Sequence, residues 1–379
     1  MILEEKIVAG SQDDFMEVRY LKIKGTNFEI GRELARIGIE RHGVKFNPAE
    51  PRYIYQMSYY KEHYPILYNR IIGVESLATT KENLDHSTLM YSSGLFGCSV
   101  VFYPPAATYN RSPIVSRNFD FTTGTVSGKV PNGSEKPALS QPYIIETHPD
   151  EGYSSLYLSS FDLLSGVIDG INSEGLVVTM LADDEAIASF PIDPSYTSQV
   201  GLNELQTLRM LLDTCSNVEE AKRALYSSKQ YYALYPLHYL IADRYGNSFI
   251  WEMSHGRNRE FIFDGNENIP QVLTNFPLYR YQPSFELPLS GERLSMYNRF
   301  CHLTESLAAN NRPYHLDTIK ELHKGVAFND TSILRESSLP SRTLWHSIYD
   351  IHNSKLSVDF YVGEEGKKIK RSGYIDFYL

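Results

Sequence analysis

GCSVVFYPPAATYNRSPIVSRNFDF, residues 97–121, is the stretch on which the reading of this chain turns. Cys98 follows a glycine and opens CSVVFY, a run of β-branched and aromatic residues that reads as a strand. PIVSRNFDF, residues 113–121, reads as a second strand, and the turn-rich PPAATYNRS between them makes the pair a hairpin. The returning strand carries Arg117, Asn118 and Asp120 among apolar residues. Alternation puts Asn118 and Asp120 on one face, and Arg117, Phe119 and Phe121 on the other. Polar groups in such a setting must find partners or shift their pKa values. The alternative for this strand is a surface ion pair across the hairpin.

A cysteine that only fills space at a strand edge explains Gly97-Cys98 by itself. A cysteine that becomes a new chain start explains it differently. The thiolate is the nucleophile, and an ordinary thiol titrates near pH ~8.5, so a base must take its proton. One of the eleven histidines would serve, but none sits in a recognisable partner motif. The other base is the α-amino group of Cys98 itself, with a pKa of about 7.7–8.0. That amine exists only once the Gly97–Cys98 bond is cut. A glycine before the nucleophile admits the strained dihedrals such a cut needs, and SSGLFG, residues 92–97, has a flexible composition.

Composition sets the frame. The chain has 379 residues, 42% apolar and 22% charged, enough for a large core without covalent staples. A net charge of −10 argues against general affinity for nucleic acid or anionic membrane. The start, MILEEKIVAGSQDDF, does not read as a signal peptide, and no apolar run approaches the roughly 18 residues of a membrane span. Three cysteines, Cys98, Cys215 and Cys301, argue against a disulfide framework and fit a reducing compartment, the cytoplasm. No CxxC, HExxH, GxSxG or phosphate loop occurs.

Outward from the hairpin, MEVRYLKIKG reads as a strand and Asn27 onward as a helix. Residues 45–75 read as helices with loops. SSLYLSS, SGVIDGIN and GLVVTMLA continue the sheet, with DGINSEG as a tight turn. Leu205, Leu208, Leu212 and Cys215 form one helical stripe, and Ser216 with Glu219 reads as a capping box for the next helix. LHYLIAD, SFIWEM, REFIFDG and QVLTNFP follow as strands, then a helix over about 291–309, whose apolar face includes Cys301. TLWHSIYDIHNSKLSVDFYV reads as a final hairpin. Blocks of strands alternating with blocks of helices predict an α+β architecture with antiparallel sheets and helices outside.

GCSVVFY…SRNFDF resembles the start of the mature chain in the choloylglycine hydrolase and penicillin V acylase family of N-terminal-nucleophile (Ntn) hydrolases. The long leader, with IKGTNFEIGRELARIG, is similar to that of the isopenicillin-N acyltransferase branch, which cuts itself at Gly-Cys. DGINSEGLVVTML, QVLTNFP, SMYNRF and the closing hairpin are similar to family segments in the same order along some 350 residues. The resemblance implies a four-layer αββα sandwich of two mostly antiparallel sheets. Residues 1–97 would be a leader, cut at Gly97–Cys98 and kept as a small subunit, and residues 98–379 the catalytic portion, together forming one compact domain.

It also implies roles. Cys98 would be the nucleophile, Asp120 would contact the α-amine, and Arg117 would belong to the polar network around the thiol. Asn275 would be an oxyanion-hole donor, and Arg299 would match the arginine of the helix start. Ala182 stands near the place of a second family asparagine, where a backbone N–H would replace the side chain. Asn172 reads as a turn residue. The expected reaction cleaves or transfers an acyl group at a linear non-peptide amide through a Cys98 thioester. Acyl-coenzyme A would be a co-substrate only if the enzyme transfers. The expected partners are a small-molecule acyl amide and the cut leader, with homo-oligomers left open. The alternatives are a hydrolase of small peptides or amino-acid conjugates, and an uncut binding or scaffold protein.

Overall fold

A computed structural model describes residues 1–79, 83–87, 96–125, 136–160, 162–185, 199–232, 236–254, 259–281, 287–288, 294–310, 312–328, 340–366 and 368–379. The strands are β1 (Ile2–Gly10), β2 (Glu17–Gly25), β3 (Asn47–Pro48), β4 (Leu84–Asp85), β5 (Phe96–Tyr103), β6 (Ile114–Thr122), β7 (Tyr143–Pro149), β8 (Ser155–Ser159) and β9 (Asp169–Asn172). They continue as β10 (Val177–Ala182), β11 (Leu237–Ala242), β12 (Ser248–Ser254), β13 (Arg259–Asp264), β14 (Gln271–Leu273), β15 (Ser341–Asp350), β16 (Lys355–Glu365), β17 (Lys368–Arg371) and β18 (Ile375–Tyr378).

One sheet has nine strands in the order β1-β2-β7-β8-β9-β10-β11-β12-β13. A second has seven, β14-β5-β6-β15-β16-β17, with β18 also pairing β16, and β3 and β4 form a small two-stranded sheet of their own. Among the described residues, every pairing between these strands is antiparallel except β2 with β7. The two sheets face each other where β5 packs on β10 and β11. The helices Glu204–Thr214 and Val218–Ser227 pack on β9, β10 and β11, and the helix Asn27–His42 packs on β2 and β7. The helices Leu294–Ala309 and Leu316–Lys324 cover β5, β6 and β14. The result is the expected α+β sandwich in four layers, αββα. All nine residues of β6 are buried, and Phe119 stacks on Trp345 with ring centroids 4.1 Å apart.

Local chemistry sets the element ends. Thr26 caps the helix Asn27–His42: its hydroxyl accepts from the Glu29 N–H, and the Glu29 carboxylate accepts from the Thr26 N–H. Two departures from the sequence reading are small. Asn217, not Ser216, caps the helix Val218–Ser227, and the carboxylate that reaches back to the Ser216 N–H belongs to Glu220, not Glu219. Cys215 is the extended residue that ends the preceding helix, still buried. The final hairpin, β15–β16, is followed by two further short strands whose four-residue length gave no periodic signal. The first residues of the helix read from 291, and SSGLFG as far as Leu95, lie outside the described residues.

Residues 1–75 are built into this body. β2 runs parallel to β7, with Arg19 opposite Tyr143 and Gly25 opposite Pro149. The helix Asn27–His42 crosses the helix Pro65–Glu75 at two glycines. A Cβ on Gly31 would lie 2.2 Å from the Arg70 carbonyl oxygen, and one on Gly73 2.0 Å from that of Phe28. The crossing carries Arg70 inward, fully buried, where its Nη1 and Nη2 reach the Asp213 carboxylate at 2.6 and 3.0 Å.

Candidate functional site

The β5–β6 hairpin sets Cys98 opposite Phe119 and Gly97 opposite Asp120. β14 pairs along the other edge of β5, Leu273 against Val100. Two residues further on, Asn275 comes level with Cys98 and accepts its N–H on Oδ1 at 2.6 Å. The Thr274 hydroxyl donates to the Met296 carbonyl at 2.9 Å, tying this strand to the helix Leu294–Ala309. That helix supplies Arg299, whose Nη2 donates to Asn275 Oδ1 at 2.8 Å and whose Nη1 donates to the Cys98 carbonyl. Asn275 is thereby oriented: two donors meet its oxygen, and its Nδ2 donates to the Ala182 carbonyl at 2.8 Å. Ala182 thus meets this group through an acceptor, its carbonyl, and what it does in this arrangement is hold the Asn275 amide.

Arg117 and Asp120 are wholly buried, which removes the surface ion-pair reading. They lie on opposite faces of β6, as alternation requires. Arg117 Nη2 donates to the Cys98 sulfur at 3.3 Å and to the Met180 carbonyl at 2.7 Å. Its charge partner is Asp169, 2.8 Å away in the other sheet. Asp120 Oδ1 accepts from the Thr343 hydroxyl at 2.5 Å, and its Oδ2 lies 3.8 Å from Arg299 Nη1. The structure therefore brings Cys98, Arg117, Asp120, Asn275, Arg299 and the Ala182 backbone together around the Gly97–Cys98 peptide. Asn172 stands apart as a turn residue: its Oδ1 accepts the Glu174 and Leu176 N–H groups. Among the described residues, no histidine hydrogen-bonds to the Cys98 sulfur.

Burial dominates the electrostatics. It pushes the Cys98 thiol up to about 11, against the pull of Arg117, while the Asp120 charge adds to the rise. The thiol is thus neutral near pH 7 while Cys98 remains peptide-bonded. Burial also pushes the Asp120 carboxyl up to about 6, against Arg299 and the Thr343 hydrogen bond. Between pH ~4, where an unfolded aspartate titrates, and pH 6, the folded chain holds a proton that the unfolded chain has lost. The uncut chain should therefore lose stability as pH rises through that window, by roughly 3 kcal/mol. Asp120→Asn should remove the slope. Urea unfolding of a cleavage-blocked chain between pH 4 and 7, with and without Asp120→Asn, checks this, and equal slopes would refute it.

The family model described as acyl-coenzyme A:6-aminopenicillanic acid acyl-transferase matches residues 108–365. The chain belongs to that family. The match begins after Cys98, in the turn between β5 and β6. Among solved structures, the chain is similar to a mutant of the conjugated bile acid hydrolase from Clostridium perfringens, at 18% identity and TM-score 0.47, over 74% of this chain and 97% of that one. It is also similar to the penicillin V acylase from Agrobacterium tumefaciens, at 19% identity and TM-score 0.45, over 74% of this chain and 86% of that one. No curated protein matches the sequence.

Proposed function

We propose that this chain is an acyl-transferring or amide-cleaving enzyme that first cuts itself between Gly97 and Cys98. The observation that carries the reading is the convergence on one buried peptide of a thiol, two arginines, an asparagine and a carboxyl group. In the cut, the Cys98 sulfur attacks the Gly97 carbonyl carbon. The C–S bond forms, the C–N bond breaks, and the proton lost by sulfur ends on the departing nitrogen. Water then hydrolyses the thioester, leaving a carboxylate on Gly97 and a free α-amine on Cys98.

That amine, held by Asn275 Oδ1 and paired with Asp120, is the base for every later turnover. It takes the thiol proton as sulfur attacks a linear, non-peptide acyl amide, and gives a proton to the amine that leaves. Asn275 Nδ2, turned from the Ala182 carbonyl, donates to the developing oxyanion, a contact typically worth ~3 to 4 kcal/mol of barrier. The Ala182 backbone N–H is the second candidate donor. Arg117 and Arg299 favour the thiolate. The acyl group then passes to water or to a second amine; if transfer is the physiological direction, an acyl-coenzyme A loads Cys98 in place of the amide, its thioester C–S bond breaking and coenzyme A leaving as the thiol. A reducing compartment such as the cytoplasm keeps Cys98 a thiol, and no metal or organic cofactor enters the scheme. The severed residues 1–97 stay bound as a small subunit.

Intact-mass measurement and N-terminal sequencing of the purified protein, followed by assay on a panel of acyl amides, test the proposal. Two polypeptides of roughly 11 and 32 kDa are expected, since 97 and 379 − 97 = 282 residues share 43.3 kDa, the larger one starting at Cys98. Acyl-amide turnover by a chain still joined at Gly97–Cys98 would overturn it.

A further inference from the structure

Asp169 opens β9 in the nine-stranded sheet and is fully buried. Its Oδ2 accepts from Arg117 Nη1 at 2.8 Å and from the Ser347 hydroxyl at 3.0 Å, and its Oδ1 accepts from the Tyr349 hydroxyl at 2.9 Å. Arg117 lies on β6 and Ser347 and Tyr349 on β15, so three donors from the seven-stranded sheet converge on a carboxylate of the other. A guanidinium is a rigid planar fork. With Nη1 fixed by Asp169, the direction of Nη2 is fixed as well, and Nη2 is the atom that meets the Cys98 sulfur at 3.3 Å.

We propose that Asp169, braced by Tyr349 and Ser347, is the positioning residue of the nucleophile: it aims Arg117 at the Cys98 sulfur and offsets the charge that the sulfur meets. The inference rests on reading Cys98 as the nucleophile and adds the group that sets its environment. Asp169 does not touch the sulfur and acts through Arg117. The other charged groups that bear on the sulfur are Asp120, from β6, and Arg299, from the helix Leu294–Ala309.

Two substitutions should act with opposite signs. Asp169→Asn keeps the shape and removes the negative charge, which leaves Arg117 uncompensated beside the sulfur and favours the thiolate. Tyr349→Phe removes a hydroxyl whose proton points at the carboxylate. It leaves the carboxylate more negative toward Arg117 and disfavours the thiolate.

The test is the pH dependence of Cys98 alkylation by iodoacetamide in the full protein, with the modified peptide identified by mass so that Cys215 and Cys301 do not confuse it. Asp169→Asn should move the midpoint down by about one pH unit or more, and Tyr349→Phe should move it up by a few tenths. Midpoints that stay put, or that move the same way in both variants, would mean that Asp169 only holds the sheets together, and would overturn the proposal. Should Asp169→Asn fail to fold, the upward shift in Tyr349→Phe decides alone. Alkylation needs neither a cut chain nor an acyl substrate. Unmoved midpoints in a protein that cuts itself and turns over acyl amides would sink this inference and leave the proposed function standing.

Discussion

A Cys98→Ala chain is expected to run on a denaturing gel as one 43.3 kDa band and to lose acyl-amide turnover by roughly 10⁴-fold or more. Both effects come from one atom, because in the proposed mechanism the sulfur that attacks Gly97 is also the sulfur that attacks substrate. The fold should survive. Cys98 contributes a small buried side chain to β5, and its backbone bonds to Asn275 and Arg299 do not involve sulfur. Circular dichroism and urea unfolding should therefore match those of the wild-type precursor to within about 1–2 kcal/mol, the cost of a small cavity. A cut Cys98→Ala protein would remove the self-processing mechanism. An uncut wild type that binds acyl amides without turning them over would point to a scaffold.

The second large effect lies far from the thiol. Asp213 is fully buried between Arg70 and Arg209, with the Tyr64 hydroxyl at 2.5 Å. Burial pushes its carboxyl up, but Arg209 and Arg70 outweigh burial and hold it below the usual aspartate range. Asp213→Ala would strand two buried guanidinium groups. Breaking a buried charge network in this way typically costs about 3–5 kcal/mol. Arg70 and Tyr64 lie within residues 1–97, so the loss should appear as weaker docking of that segment, seen in urea unfolding or as its release from a cut protein. A change below about 1 kcal/mol would mean that β2 and the helix crossing hold the segment without the ion pairs. The sign with pH follows from the depressed carboxyl: the stability it contributes is present above pH ~4 and is lost as pH falls further.

What could be read from the sequence follows contact distance along the chain. The β5–β6 hairpin was legible because its two strands and turn are contiguous, and alternation alone sorted Arg117 from Asp120. Cys98 was legible from its neighbours, and Asn275 and Arg299 only through resemblance to a family, since nothing local marks the asparagine of LTNFP as facing a residue 177 positions away. Asp169 was missed. Its segment, DGIN, reads as the start of a turn, and the arginine it holds is 52 residues away in another sheet. The Arg70–Asp213 pair was missed for the same reason, at a separation of 143. Charged residues on helices look like solvent-facing ones until the packing is known. The Ala182 contact runs through the backbone, where residue type says little about which group is presented.

The parallel seam between β2 and β7 also bears on how this protein can be made. A recombinant polypeptide starting at residue 98 would lack β1 and β2, and the flank of β7 would carry an unsatisfied row of amide and carbonyl groups. Bare sheet margins of that kind recruit one another and clump. The first 97 residues therefore act as a built-in edge guard, and residues 98–379 should be usable only when they are made in one chain with them.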